Sequence, residues 1–349
     1  MGDGQASLGE ARNPHKPGRG CAEGHDGRMA VYTEIGDDEL RVFVGLYDLG
    51  EVLACKGIAE GVENSNFLLT TARGNFILTL YEKRVAPADL PFFIALMDHL
   101  AHQSVACPTP VRARDGEALR QLCGRPAAIV TFLNGMWPRR IEPFHCASLG
   151  GALAGLHRAG ASFAMRRPNN LGVAGWRRLH EACAARAGEL QQGLAAELAD
   201  ELAFLEAAWP QGLPIGVIHA DLFPDNVFFR DRDVSGLIDF YFACTDFLAY
   251  DLAICLNAWC FEPDGSFNVT KARLLVGQYR AARPLDGAEL AALPLLARGS
   301  ALRFLLTRLY DWLNQTAGAL VRPKDPLEYL KKLRFHRGVT GPAAYGIDA

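Results

Sequence analysis

The sequence predicts an α+β fold in two lobes: a small N-terminal lobe built on an antiparallel sheet, then a larger, mainly helical C-terminal lobe. Three observations predict it. The chain has 349 residues, more than one hydrophobic core usually serves. Strand-like apolar runs separated by turn residues crowd into the stretch after residue 50. Beyond Asn134-Gly135, which reads as a linker, apolar positions recur at helical spacing nearly to the C-terminus, with one short strand-like interruption.

Composition narrows the class further. Half of the residues are hydrophobic and 21% are charged, which excludes a disordered, collagen-like or coiled-coil chain. A net charge of −3 supplies no field favouring nucleic acid or an anionic membrane. No stretch of about 18 apolar residues is free of charges, so no bilayer span is expected, and a soluble cytoplasmic protein is. The nine cysteines include no C-x-x-C pair and lie mostly inside apolar runs such as AICLNAWCF, so they read as reduced, buried small hydrophobes. Nothing in the sequence signals an oligomeric state.

Residues 1–28 differ in kind. They hold no aromatic residue and one leucine, Leu8, among several Gly and Pro. Such a segment cannot bury enough apolar surface to offset its ordering entropy, and a disordered extension outside the fold is expected. Met29 opens MAVYTEI, which has the look of a natural start.

The folded part then reads in order. Leu40, Phe43, Val44 and Tyr47 recur at helical spacing. Three strand-like runs follow, EVLACKGIA, NSNFLLTT and NFILTLYE, the last two separated by the turn Ala72-Arg73-Gly74. LPFFIALMDHLAHQ reads as a helix. After Pro108, Pro110 and a turn at Asp115-Gly116, GRPAAIVTFLNG reads as a strand. In the second lobe HCASLGGALAGLHRA predicts a helix, and 176–208 a long helical pattern with Gly193 as its weak point. IGVI, a polar loop, VFFR, a turn at 231–233 and VSGLIDF come next. Helical patterns return at 246–259, 270–282, 287–314 and 326–335.

The chemistry concentrates in IHADLFPDNVFF, residues 218–229, which carries His219, Asp221 and Asn226, with Asp239 following at the end of an apolar strand. A strand–loop–strand hairpin brings Asp221, Asn226 and Asp239 to one mouth. A carboxylate and an amide oxygen are hard ligands suited to Mg²⁺, and a second carboxylate nearby can accept a proton from a hydroxyl. Phosphoryl transfer requires such a set. A metal hydrolase built on His219-x-Asp221 would need further ligands in matching settings. His99, His102, His145, His157 and His180 instead fall on helical patterns without H-x-x-x-H spacing.

The pattern H-x-D-x-x-x-x-N followed by I-D resembles the aminoglycoside phosphotransferase and choline kinase superfamily, which has the protein-kinase-like fold. The resemblance implies that Asp221 is the catalytic base, that Asn226 and Asp239 hold the metal, and that His219 braces the catalytic loop. GIAEGVENSNF, LTLYEKRV, DLPFF, RPAAIV, HADLFPDNVFF and LIDFYFACTDFLAYDLAICLNAWCFE further resemble the homoserine kinase family of the protein-kinase-like type, from about Met29 to about Arg337. This implies ATP and L-homoserine as substrates, O-phospho-L-homoserine and ADP as products, and a step toward threonine.

The same resemblance sets residues 29–134 as the nucleotide-binding lobe and 135–349 as the catalytic and substrate-binding lobe. Gly57 to Asn66 becomes a lid on the nucleotide phosphates, with Gly57 and Gly61 permitting close backbone approach and Asn64, Ser65 and Asn66 supplying donors. Ala128 to Leu133, with Val130 and Phe132, becomes the hinge strand beside adenine. One departure stands out: kinases place a phosphate-binding lysine on the third strand, where this chain has Thr79. Lys83, on the same strand face by the period of two, or Lys56 on the first strand can serve instead. Homoserine must be held by its ammonium and carboxylate. Asp246, Tyr250, Arg303 and Arg308 are the candidates, with Arg167, Asn169 and Asn170 as further contributors, while Asp251 is expected to brace the loop. Competing readings are a kinase for choline, methylthioribose or an aminoglycoside, and a nucleotide-binding pseudokinase, the last prompted by Thr79.

Overall fold

A computed structural model describes residues 33–58, 64–82, 85–315 and 323–347. The extension 1–28, Gly61 and Lys83 lie outside the described residues.

The small lobe opens with α1 (Asp37–Val44). Its first turn carries Asp37, Asp38 and Glu39 against the positive end of the helix dipole, and Leu40, Phe43 and Val44 form the buried stripe. The strands are β1 (Val52–Ile58), β2 (Asn64–Thr71), β3 (Gly74–Tyr81), β4 (Leu119–Leu122) and β5 (Arg125–Thr131), in the order β1-β2-β3-β5-β4 with every pairing antiparallel. Gly74, at φ 130°, closes the β2–β3 turn in a conformation that suits glycine. β4 carries only four residues, too few for alternation to mark it in the sequence.

The sheet has two faces with different covers. Leu69, Leu78, Leu80, Ala127 and Ile129 point to α1 and Tyr47, forming a small outer core. Ile77, Tyr81, Ala128 and Val130 point the other way, into the main core. There they meet α2 (Leu90–His102), which brings Phe93, Leu96 and Met97.

The large lobe contains α3 (Pro143–Gly160), α4 (Val173–Cys183), α5 (Leu194–Ala208), β6 (Ile215–Ile218), β7 (Val227–Arg230), β8 (Asp233–Leu237), β9 (Cys244–Phe247), α6 (Leu248–Trp259), α7 (Val269–Ala282), α8 (Gly287–Leu313) and α9 (Pro326–Arg337). Two expectations are corrected. The helical pattern over 176–208 is two helices, because the chain leaves helix after Cys183 and Gly193 starts α5 from a left-handed conformation at φ 81°. The helix expected from 246 begins at Leu248, because Cys244–Phe247 pairs with β6. This tertiary pairing overrides the local pattern. α3 lies so close to α7 that a Cβ on Gly150 would stand 2.1 Å from the carbonyl oxygen of Leu275.

α8 is long and apolar enough to cross a membrane by length and composition, but 72% of its most apolar window is buried inside the fold. It is the central helix of the large-lobe core. The eight cysteines among the described residues are free, and six of them are buried.

The lobes are fastened where α2 meets the large lobe. Arg167 donates through Nε to Asp89 at 2.7 Å and through Nη1 to the carbonyl of Ala243 at 3.2 Å. The Tyr81 and Tyr241 hydroxyls lie 3.2 Å apart across the cleft. These contacts set the roof, the inward face of the sheet, over the floor, the loops following β6 and β8.

Candidate active site

The floor begins where β6 ends. His219 is fully buried, and its Nε2 lies 2.9 Å from the carbonyl of Ile238. Its Nδ1 accepts the Asp221 N–H at 3.3 Å, so Nε2 carries the proton and the ring is neutral. Burial holds it there, pushing the pKa down to about 4. His219 thus ties the segment carrying Asp221 to the residue before Asp239, without itself titrating near neutrality.

Asp251, on α6, accepts the N–H of His219 through Oδ2 at 2.7 Å and that of Ala220 through Oδ1 at 2.9 Å. Its Oδ2 also lies 3.1 Å from His157 Nε2, while His157 Nδ1 meets the Tyr279 hydroxyl at 2.8 Å. Burial raises the Asp251 pKa, but the bond to His157 and the charges and amides around it prevail, and the carboxyl is held below its ordinary value. Ala220 has φ 64°, a left-handed conformation that costs about 1 kcal/mol or more for a residue with a Cβ. Both sides of it are clamped: its N–H by Asp251, and its carbonyl by Arg303 Nη1 at 2.5 Å.

Asp221 follows that clamped residue. Burial raises its pKa to about 6, opposed chiefly by the positive charge of Arg303. Asn226, on the short helical turn Pro224–Asn226, donates through Nδ2 to the Asp221 main-chain oxygen at 2.8 Å and to its carboxylate at 3.2 Å. The Ile238 N–H donates to the Asn226 main-chain oxygen at 3.0 Å, and Val227 pairs with Leu237, so the β7–β8 hairpin sets Asn226 beside the start of the Asp239 loop. Asp239 is itself left-handed, at φ 63°. The donor set fits a hard cation. Asn226 spends its amide nitrogen on Asp221 and leaves Oδ1 without a hydrogen bond among the described residues, and Asp239 adds a carboxylate.

Of the substrate candidates, three come together. Asp246 accepts from Asn169 Nδ2 and from the Phe247 N–H, both at 2.7 Å, and burial raises its pKa. Tyr250 is fully buried, and the charges acting on its hydroxyl are those of Arg303 and Asp246. Arg303 is 1% exposed, stacks over Phe304 at 4.4 Å, and its Nε has no partner. Arg308 is engaged elsewhere, with Glu328 at 2.6 Å and the Asp325 carbonyl at 3.1 Å, where it holds the start of α9.

The roof places the nucleotide candidates on two faces. Asn66 and Thr79 are paired on the inward face, with the Thr79 hydroxyl donating to Asn66 Oδ1 at 2.8 Å. Asn64 Oδ1 accepts the Glu82 N–H at 3.4 Å. The Ser65 side chain faces away from Asn66 and Thr79. By the strand's period of two it points outward, is fully buried and donates to Glu82 at 2.7 Å. Val130 lies on the inward face and Phe132 follows the end of β5, 39% exposed. Gly57 is the penultimate residue of β1. Sequence reasoning passed over His157 as a brace and Glu82 as the anchor of the roof loop, although Glu82 gathers Thr33, Ser65 and Arg125.

A strand-and-loop floor bearing two carboxylates and an amide, Asp221, Asp239 and Asn226, beneath a five-stranded roof is the arrangement of a protein-kinase-like phosphotransferase. Comparison with known proteins agrees. The model of the phosphotransferase enzyme family matches residues 54–285. Among solved structures, an amicoumacin kinase in complex with AMP-PNP and Ca²⁺ superposes with a TM-score of 0.66 at 14% identity, over 86% of this chain and 92% of that one. A choline kinase from Cryptosporidium parvum superposes with a TM-score of 0.63 at 12% identity, over 86% and 94%. Homoserine kinases of Paramagnetospirillum magneticum and Rhodospirillum rubrum are 65% and 66% identical, each over 92% of this chain and all of the relative. The chain therefore belongs to the homoserine kinase family within the phosphotransferase enzymes.

Proposed function

We propose that the protein transfers the terminal phosphoryl group of Mg·ATP to the side-chain hydroxyl of L-homoserine, giving O-phospho-L-homoserine and ADP, in the cytoplasm and on the route to threonine. The observation that carries this reading is the 65% identity to a homoserine kinase over 92% of the chain. The floor supplies the chemistry. Asp221 receives the hydroxyl proton, held in place by the clamped Ala220 peptide and by Asn226. Asn226 and Asp239 hold Mg²⁺, which when bound neutralises charge on the transferred group. Asp246 takes the substrate ammonium and Arg303 takes the carboxylate, and both charges act on the buried Tyr250 hydroxyl. Arg303 suits that role because it is a buried guanidinium with no carboxylate at ion-pair distance among the described residues, an arrangement that is costly without an anion.

Coupled ADP release with Mg·ATP against L-homoserine, choline, methylthioribose and kanamycin tests the reading. Saturable turnover on homoserine alone, lost in Asp221→Asn, is expected. Turnover confined to another alcohol would keep the mechanism and discard the substrate. Arg303→Lys is expected to raise the homoserine KM at least tenfold with the ATP KM unchanged, and an unchanged homoserine KM would assign the carboxylate to another cation.

A further inference from the structure

The third strand of the roof carries a threonine where other kinases place a phosphate-binding lysine. Thr79 occupies the third-strand position, is 2% exposed and uses its hydroxyl on Asn66. The sheet register shows where charge is available instead. Across β1, β2, β3 and β5 one row of paired residues runs Lys56–Leu68–Ile77–Val130, and the next inward row runs Ile58–Asn66–Thr79–Ala128. Residues paired across strands share a face, so Lys56 projects from the same face as Thr79, and Ile77 and Val130 in its own row are core-facing. That face looks down on the floor: Tyr81, two residues beyond Thr79, meets Tyr241, and both tyrosines lie within the field of Asp239.

The two ends of this face differ. Over β5 and β4 it is covered by α2, where Ala128 is fully buried and Leu119 packs against the main core. Over β1 it is open, with Ala54 and Lys56 exposed. Lys56 stands on the open part, two residues from the end of β1 and so at the end of the sheet where the Gly57–Asn66 connection begins. Among the described residues it has no ion pair, whereas Arg125 is held by Glu82, Arg167 by Asp89 and Lys324 by Asp225.

We infer that Lys56 is the roof cation that contacts the nucleotide phosphates, taking over from the first strand the role that a third-strand lysine plays in other kinases. A flexible ammonium suits the task, since it acts as a point charge and needs no fixed fork geometry. The inference rests on the phosphotransferase reading for its nucleotide but not on homoserine as the acceptor.

The test is nucleotide binding and turnover by the full chain carrying Lys56→Met, Lys56→Arg, Lys83→Met or Arg73→Met. Arg73→Met removes equal charge at the far β2–β3 turn. Lys56→Met is expected to weaken Mg·AMP-PNP binding about tenfold or more, the scale of a lost charge-assisted bond, while leaving adenosine binding and melting temperature unchanged. Lys56→Arg is expected to restore most of the loss, and Arg73→Met to bind as the parent does. With homoserine as acceptor, the Lys56→Met defect should fall on the ATP KM and kcat and leave the homoserine KM within twofold. AMP-PNP affinity within twofold of the parent in Lys56→Met, or the loss appearing in Lys83→Met instead, would overturn the inference. Parent protein that binds AMP-PNP but does not phosphorylate homoserine would defeat the substrate assignment alone, because the binding comparison stands without it.

Discussion

The floor and the roof of the cleft are built on different principles. In the floor, the segment leading to Asp221 is gripped from distant elements, Ala220 by α6 and α8 and His219 by Asp251 and Ile238, while Asn226, five residues on, holds Asp221 itself. In the roof the strands pair regularly, but the cleft-facing side chains have few polar partners, and Lys56 on the open end has no ion pair among the described residues. On the proposed function, bond making needs a base and a metal site held to a fraction of an ångström, which accounts for the left-handed Ala220 and Asp239. Phosphate binding by charge tolerates looser placement, so the cation can change strands while the sheet is kept. Damage to the floor should therefore remove catalysis or the fold, and damage to the roof should cost affinity.

The largest effect on rate is expected from Asp221→Asn, which keeps the shape and removes the proton acceptor. A positioned base contributes roughly 10²–10⁴-fold, so kcat should fall by that factor with the ATP KM nearly unchanged in the coupled assay. A kcat within tenfold of the parent would deny Asp221 the role of base. On stability the largest effect falls one layer deeper. Asp251→Ala strips the partner from two buried N–H groups and from His157, and should cost about 3–5 kcal/mol in urea unfolding, the scale of leaving several buried polar groups unsatisfied at roughly 1–3 kcal/mol each.

The buried histidines give the large lobe a pH dependence of definite sign. His219 is depressed from 6.5 to about 4, and His336, which lies beside Tyr345 and Asn257, to about 3, both chiefly by burial. Between the folded and unfolded values the unfolded chain binds more protons, so stability is full above pH 6.5 and declines as pH falls toward 4. The urea midpoint should accordingly drop between pH 7.5 and pH 5. An equal midpoint at both would show that these rings do not outweigh the buried carboxyls of Asp221 and Asp246, whose raised pKa values act in the opposite sense.

How much of this could be read from the sequence follows from the same contrast. His219, Asp221, Asn226 and Asp239 fall within one strand–loop–strand stretch, so their spacing alone brings them together. The grip on them is not local. His157 and Asp251 are 94 residues apart, and His157 looks in sequence like any other residue of an apolar helix face. Arg303 stands out as a charge in an apolar helix, yet nothing local says that it reaches back 83 residues to the Ala220 carbonyl. In the roof, Lys56 and Ser65 are both visible as residue types, but their direction depends on register. Once Asn66 is paired with Thr79, the period of two sends Asn66 into the cleft and Ser65 away from it. β9 forms by pairing with the distant β6, whereas β4 is the short arm of a hairpin with β5, and each carries too few residues to show alternation.

The smallest expected effect tests the boundary between the two regions. Tyr81 belongs to the roof and Tyr241 to the floor; their hydroxyls are 3.2 Å apart and their rings pack edge to face at 5.3 Å. Burial raises both pKa values, that of Tyr241 to about 12, so both hydroxyls stay protonated at any working pH. Tyr81→Phe deletes one hydroxyl and keeps the ring contact. The Tyr241 hydroxyl retains Thr79 as a neighbouring partner, so no buried group is stranded. The cost should be about 1 kcal/mol in urea unfolding, the net value of one neutral hydrogen bond, with at most a severalfold rise in the ATP KM. A loss above about 3 kcal/mol, the cost expected of Asp251→Ala, would mean that the roof is determined as tightly as the floor, and that the missing third-strand lysine needs another explanation than tolerance in the sheet.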